Sequence, residues 1–416
     1  MRGAAPLRNT VKLSLHFPDA PARPGDKPDF SYLQIPEAGH VRRPDPATPA
    51  VELRELAYDM IRVLDADHRA VGPWDPHLAP ETLRRALKFM VIDRIFEDRM
   101  FRAQRQGKTS FFLRGLGEEA IAIAHAMALG NDDMCFTSYR QQGLLIARGC
   151  PIINMMNQAY GNAADKQHGV QMPLHYSYPE YGYFAMSGNL ATQVSQAVGW
   201  AMASAYRGDD KIAVAFVGEG ATAEGDFHAG ILFASVYRAP VIISISNNQW
   251  AISTFQSVAG GEQTTFAARG VGVGLPALRV DGNDFPASYA AVQWGAERAR
   301  ANLGATVIEF VTYRGHAHSS SDDPARYRPV DDFAAWPLGD PVLRLKQHLI
   351  ALGEWSDGRH DAFEAEATEQ IRAQQAQAES IGTLTAGKHP NPAALFENVF
   401  EEPDWRHEFQ RRELGV

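Results

Sequence analysis

Between residues 80 and 105 the apolar positions recur at steps of three and four. Leu83, Leu87, Met90, Val91, Ile95 and Phe96 fall on one side of a helix, so the spacing predicts a long amphipathic helix from about Pro80. Gly117 to Leu129 reads as a second helix. From about Asp133 the pattern changes, and short β-rich runs alternate with helical stretches. The runs are 133–137, 211–217, 241–246, 277–280 and 306–313, with helices expected near 190–207, 223–238 and 286–303. Apolar runs separated by helices imply βαβ crossovers, hence an α/β fold whose mostly parallel sheet has helices on both faces. Beyond Asp331 two more helices are expected, near 340–352 and 359–379. The second is rich in Gln, Glu and Ala and reads as a solvated outer helix. There is no internal repeat.

The first part of the chain differs. Nine of the 25 prolines lie in the first 50 residues. Proline lacks a backbone donor and blocks helix, so this stretch reads as an extended arm. Its apolar residues (Leu13, Leu15, Phe17, Phe30, Tyr32, Leu33 and Ile35) need a surface to lie on, either this chain or a partner subunit. The expected organisation is a Pro-rich arm over 1–75, an α/β domain over 76–335 and a C-terminal helical region over 336–416 packed on the same domain.

Composition narrows the function. With 45% hydrophobic and 21% charged residues the 416-residue chain is an ordinary globular protein, not a disordered one. A net charge of −9 argues against nucleic acid as the main partner. Two cysteines, Cys135 and Cys150, exclude a disulfide framework. No apolar stretch approaches the roughly 20 residues of a membrane span. The start has no secretory apolar core. Its first acidic residue is Asp19, a faint transit-peptide feature, but Pro-rich sequence follows in place of an amphipathic helix. The bacterial cytoplasm, not the mitochondrial matrix, is the expected location.

The most informative stretch is KIAVAFVGEGATAEGDFHAG. A buried strand ends at Val217, and Gly218-Glu219-Gly220 leads into a helix. A glycine turn from strand to helix suits phosphate, because helix N-terminal amides point at the anion. A nicotinamide dinucleotide site fails on spacing, since the third glycine should stand where the chain has Ala223. It also fails on charge, because Glu219 would repel a pyrophosphate. A divalent cation between carboxylate and phosphate removes the conflict, and Mg²⁺ is commonly held that way. The next strand ends in Asn247-Asn248-Gln249-Trp250, one βαβ unit further on. An Asn side-chain oxygen and a freed carbonyl are suitable hard ligands, and ligands of open α/β sheets bind at strand carboxyl ends.

Gly-Glu-Gly followed 30 residues later by Asn-Asn resembles the thiamine-diphosphate signature. The segments GNLATQVSQAVGWA (188–201), FVGEGATAEGDFHAG (216–230), NNQWAISTF (247–255), LRVDGND (278–284) and TYRGHAHSSSDDPARYRPVDD (312–332) resemble the α subunit of the decarboxylase component of 2-oxo acid dehydrogenase complexes. Within that family they look most like the branched-chain enzyme of bacterial type. The resemblance covers roughly residues 80–400 and implies the thiamine-diphosphate-binding fold. The common motif has Asp where this chain has Glu219; the carboxylate is kept.

By resemblance, Glu219, the Asn248 side chain and the Trp250 carbonyl match Mg²⁺ ligands, with Gly218 and Gly220 framing the turn. Tyr139 and Arg140 match a pair that meets the diphosphate and the substrate side of the cofactor. Gly188 and Leu190 match positions that hold the aminopyrimidine and bend the cofactor. Ser187, Thr192 and Gln193 match a structural K⁺ site, although Gly188-Asn189 replaces a Ser-Pro of some members. Ser246 stands where many members carry a phosphate-binding Arg. Arg314 resembles a diphosphate-binding Arg, and His318 aligns with the active-site His, whose near-neutral ordinary pKa suits proton transfer. His316 reads as structural. Ser319 matches a site that kinases modify in mitochondrial relatives; a phosphate there would crowd the site with negative charge.

The resemblance further implies oxidative decarboxylation of branched-chain 2-oxo acids and reductive acylation of a lipoyl group on the acyltransferase component. It implies an α₂β₂ heterotetramer whose β subunit supplies the Glu that activates the cofactor. A pyruvate or acetoin dehydrogenase α subunit is the nearest alternative, since one methylene changes specificity by only about 10–200-fold. A catalytically silent assembly subunit is an alternative of another class.

Overall fold

The computed structural model describes residues 14–397 and 400–416. Leu13 and the transit-like start up to that residue lie outside the described residues. The strands are β1 (Met60–Ile61), β2 (Met134–Phe136), β3 (Ala213–Gly218), β4 (Val241–Asn247), the short hairpin β5 (Trp250–Ala251) and β6 (Thr254–Phe255), β7 (Ala277–Asp281), β8 (Thr306–Val311) and a second short hairpin of β9 (Gly382–Thr383) and β10 (Ala386–Gly387). Six of them form one sheet in the order β1-β7-β8-β4-β3-β2, every neighbouring pair parallel. The α/β expectation holds, and each predicted run from 133 to 313 is a strand of this sheet.

Successive residues of a strand face opposite sides, and here each side meets its own layer. Val214 and Phe216 of β3 pack with α1 (Pro80–Arg105) and α2 (Glu119–Ala128). Ala213, Ala215 and Val217 pack with α5 (Thr192–Arg207) and α6 (Gly225–Val236). Two alanines on the second side let α5 lie close to the sheet. The first layer also holds α3 (Gln142–Ala147), α4 (Ile152–Tyr160), α8 (Phe285–Arg300), α9 (Pro341–Ala351) and α10 (Asp357–Ile381).

The β3–β4–β8 register sets up the site. Gly218 pairs with Ser246, and Ser246 with Phe310, so the carboxyl ends of three strands finish side by side. Glu219, Asn248 and Thr312 leave the sheet at one level.

From Ser14 on, the arm lies on this chain along much of its length, one of the two alternatives that the sequence leaves open. Its Met60 pairs with Arg279, making β1 the sheet's edge strand. Phe30 stands edge-on to Trp336 and Tyr313 at 5.1 and 5.6 Å, and the Trp294 indole donates to the Pro44 carbonyl at 3.0 Å. Leu15 and Phe17, in contrast, are exposed. The helix α10 is outer and mostly exposed, as expected, but one of its sides is covered. Ala367, Ile371, Gln375 and Ala378 form a buried stripe, and Arg99 of α1 donates to Gln375 at 2.7 Å. The stripe is too small and too polar to stand out as an apolar face. The last helix, α11 (Trp405–Leu414), buries none of its residues. No described helix is long and apolar enough to cross a membrane.

Candidate active site at the carboxyl ends of the strands

Glu219 is the first residue after β3 and is only 2% exposed. Its Oε2 accepts the Asn248 amide at 3.3 Å, while Oε1 has no partner. Burial pushes its pKa up to about 7. A buried carboxylate oxygen with no donor is costly unless a cation or donor meets it. The turn after β4 is held from behind. Gln249 adopts φ +74°, a left-handed conformation that persists where surroundings over-determine it. Its side chain donates to the carbonyls of Asn247 at 3.1 Å and Thr312 at 3.2 Å and accepts from Gln256 at 2.6 Å. The Asn248 Oδ1 accepts the Trp250 amide at 3.2 Å.

Arg140 leaves the end of β2 and is 4% exposed. Its Nη2 donates to the His318 carbonyl at 2.8 Å and lies 3.2 Å from His318 Nδ1; Nη1 bonds the Arg114 carbonyl. Tyr139 stands edge-on to the His318 ring at 5.7 Å. Burial, with Arg140 and then Arg314, holds the His318 pKa down to about 3, so the imidazole is neutral. Burial raises the Tyr139 phenol. His316 is also lowered, to about 4, chiefly by burial; its ring meets Phe101 at 4.6 Å.

Arg314 is nearly fully buried. It donates to the carbonyls of His316, Trp250 and Ile252 at 3.2, 3.0 and 2.8 Å and to the Tyr327 hydroxyl at 2.5 Å. Four of its five N–H groups are therefore engaged, two of them with the turn that carries Trp250, and only part of the set is left for a phosphate. Burial brings its pKa down to about 10.

The structure thus gathers Glu219, Asn248, Trp250 and Arg314 around one turn, with Tyr139, Arg140 and His318 forming a second group linked to it. The segment from Ser187 to Gln193 stands beside them. Gln193 donates to the Phe216 carbonyl at 2.8 Å, just before Gly218, and its Oε1 is buried without a partner. Ser187 Oγ accepts the Asn189 amide at 3.2 Å, and Thr192 bonds Asp226 at 3.1 Å. These three residues share no hydrogen-bond partner. Gly188 and Leu190 are exposed, Leu190 by 54%.

The donor set suits a hard dication shared with a ligand's phosphates. Glu219 offers a free oxygen, Asn248 an amide oxygen and Trp250 a carbonyl. Among the described residues no three His, Cys, Asp or Glu side chains converge as a metal group, so oxygens of the ligand would have to complete the shell. The two glycines differ. A Cβ at Gly218 meets nothing within 4 Å, which leaves a cradle open; one at Gly220 would collide with Ala251.

One residue of the cluster was not foreseen. Glu118, at the start of α2, is 3% exposed and accepts from Asn248 Nδ2 at 2.6 Å. It also lies 3.6 Å from Arg140 Nε. Burial raises its pKa, opposed by Arg140 and Asn248. Gly-Glu-Glu before a helix reads as a solvated first turn; nothing in the local pattern marks one of its acids as buried.

Known proteins resemble the chain over most of its length. Residues 87–386 match the family described as Dehydrogenase E1 component. Residues 11–51 match the family described as 2-oxoisovalerate dehydrogenase E1 alpha subunit N terminal. The chain is 55% identical over 404 residues to the 2-oxoisovalerate dehydrogenase subunit alpha of Pseudomonas aeruginosa, covering 97% of this chain and 98% of that one. It is 38% identical over 346 residues to the human mitochondrial subunit of the same name, covering 82% and 76%. It is 39% identical over 316 residues to subunit alpha 1 of Arabidopsis thaliana, covering 74% and 66%.

Proposed function

The chain belongs to the dehydrogenase E1 component family, and we propose that it is the α chain of a thiamine-diphosphate-dependent enzyme that oxidatively decarboxylates branched-chain 2-oxo acids. The observation that carries this reading is the unpartnered, buried Glu219 oxygen beside the Asn248 turn. Glu219, the Asn248 amide oxygen and the Trp250 carbonyl would hold Mg²⁺ beside the diphosphate. Arg140 and the remaining donors of Arg314 offset the rest of the diphosphate charge. Gly218 leaves room for it, and Gly188 and Leu190 would hold the aminopyrimidine. Ser187, Thr192 and Gln193 are the proposed K⁺ ligands; the orphaned Gln193 Oε1 supports the choice.

When bound, thiamine diphosphate supplies the electron sink that lets a 2-oxo acid lose CO₂. The chain's own residues position and exchange protons. Arg140 donates to His318 Nδ1, so the ring proton sits on Nε2. From there His318 donates a hydrogen bond to a substrate oxygen and moves a proton during decarboxylation or acyl transfer. Tyr139 packs against the ring and limits its rotation. The Glu that activates the cofactor comes from the β chain, so the enzyme is an α₂β₂ assembly. It then acylates a lipoyl group of the acyltransferase component.

Co-purified α and β chains assayed with a panel of 2-oxo acids and a dye acceptor test this. Highest kcat/KM with 3-methyl-2-oxobutanoate, and no turnover by α alone, is expected. Preference for pyruvate would move the assignment to another member of the family. Full-rate decarboxylation by α alone would refute the shared site.

A further inference from the structure

Asn248 carries an amide with two unlike ends, and only its oxygen can serve a cation. We propose that Glu118 is the positioning residue that decides which end faces the metal. The proposal rests on the reading of Glu219, Asn248 and Trp250 as the Mg²⁺ seat.

Glu118 is fixed by the backbone before it. Gly117 adopts φ +97°, and a Cβ there would strike the Tyr313 carbonyl. The Gly117 carbonyl accepts from Thr312 Oγ1 at 2.6 Å and from Asn283 Nδ2 at 3.2 Å. The start of α2 is therefore tied to the end of β8. The two successive acids then part company. Glu119 turns to α1, where Arg94 bonds it at 2.8 Å. Glu118 turns into the site and does not cap its own helix.

An ionised carboxylate is an acceptor only. The two groups that face Glu118 Oε1, Asn248 Nδ2 at 2.6 Å and Arg140 Nε at 3.6 Å, can only donate. Glu118 therefore takes the Asn248 NH₂ at 2.6 Å, and Oδ1 is left for the Trp250 amide and for a cation. The flipped amide would place oxygen against carboxylate and NH₂ against the metal, unfavourable at both ends. Residues behind a metal ligand commonly orient it in this way. Gln249, which follows Asn248, is immobilised by its own bonds, so the side-chain amide is the one free choice in the turn.

The test exploits the symmetry of aspartate. Mg²⁺ is titrated into the α/β assembly with thiamine diphosphate, followed by intrinsic tryptophan fluorescence, which includes Trp250. Glu118→Leu lowers Mg²⁺ affinity at least tenfold, and Glu118→Gln, which keeps an acceptor oxygen, lowers it less. In an Asn248→Asp background the sign reverses. Aspartate has no wrong end and is repelled by Glu118, so Glu118→Leu and Glu118→Gln now raise affinity. Melting without cofactor reports that each variant is folded; should Glu118→Leu not assemble, the Glu118→Gln pair carries the same sign test. Effects of one sign in both backgrounds, or none, overturn the proposal. Glu219→Ala is run alongside. If it abolishes Mg²⁺ binding while the Glu118 variants behave alike in both backgrounds, the metal seat stands and only Glu118's role falls. If it leaves Mg²⁺ binding unchanged, the seat itself is wrong.

Discussion

The Arg140 guanidinium meets His318 through two contacts, a 2.8 Å bond to its backbone carbonyl and a 3.2 Å approach to the ring Nδ1. Arginine can only donate, so His318 must receive at Nδ1 and carry its proton at Nε2. A permanent cation at this distance also disfavours imidazolium. One residue thereby fixes the position, tautomer and charge of another that stands at the end of a different strand.

Replacing His318 by Gln removes the proton-carrying atom. Turnover of the α/β assembly is expected to fall about 10²–10⁴-fold, with cofactor affinity unchanged. With the His318 pKa held at about 3, the wild-type profile of kcat/KM against pH has no inflection from this group near its ordinary value. A limb near pH 6.5 that disappears in His318→Gln would contradict the assignment.

The two glycines around Glu219 should separate folding from binding. Gly220→Ala drives a methyl into Ala251 and is expected to destabilise by about 1–3 kcal/mol. Gly218→Ala enters open space, so it should melt like the wild type yet bind cofactor at least tenfold more weakly. Melting curves and cofactor titration check both. Equal behaviour of the two variants would remove the distinction.

His125 on α2 predicts the acid side of stability. It is fully buried against Phe216 and Phe310, and burial lowers its pKa from 6.5 to about 4. Below pH 6.5 the unfolded chain binds a proton that the folded chain refuses. Stability is therefore complete above that value and falls as the pH drops toward 4. The shift corresponds to on the order of 3 kcal/mol. His125→Leu should flatten this part of the curve of melting temperature against pH; parallel curves would sink the argument.

The strand ends that carry Glu219 and Asn248 were legible because long buried runs stop at glycine or asparagine; His318, in the loop after β8, was singled out by resemblance. Other parts of the site were hidden for physical reasons. Glu118 looks like any acid in a helix's first turn, and only the tie between Gly117 and Thr312 aims it inward. Arg314 reads as a phosphate arm, but most of its donors are engaged within the protein, two of them bracing the Trp250 turn, a contact between segments far apart in sequence. β1 is two residues long, too short to show a strand periodicity, and borrows its partner from β7. The buried side of α10 is marked by alanines and Gln375, which no apolar periodicity reveals.

The central claim is that the Glu219 carboxylate and a doubly phosphorylated ligand share a cation. Thiamine diphosphate is titrated into the α/β assembly with and without Mg²⁺, for wild type and Glu219→Ala, with melting temperature recorded in each condition. The account predicts Mg²⁺-dependent binding and stabilisation in the wild type. It predicts the loss of both in Glu219→Ala, whose cofactor-free melting is near normal. Unchanged, Mg²⁺-dependent affinity in Glu219→Ala would contradict it.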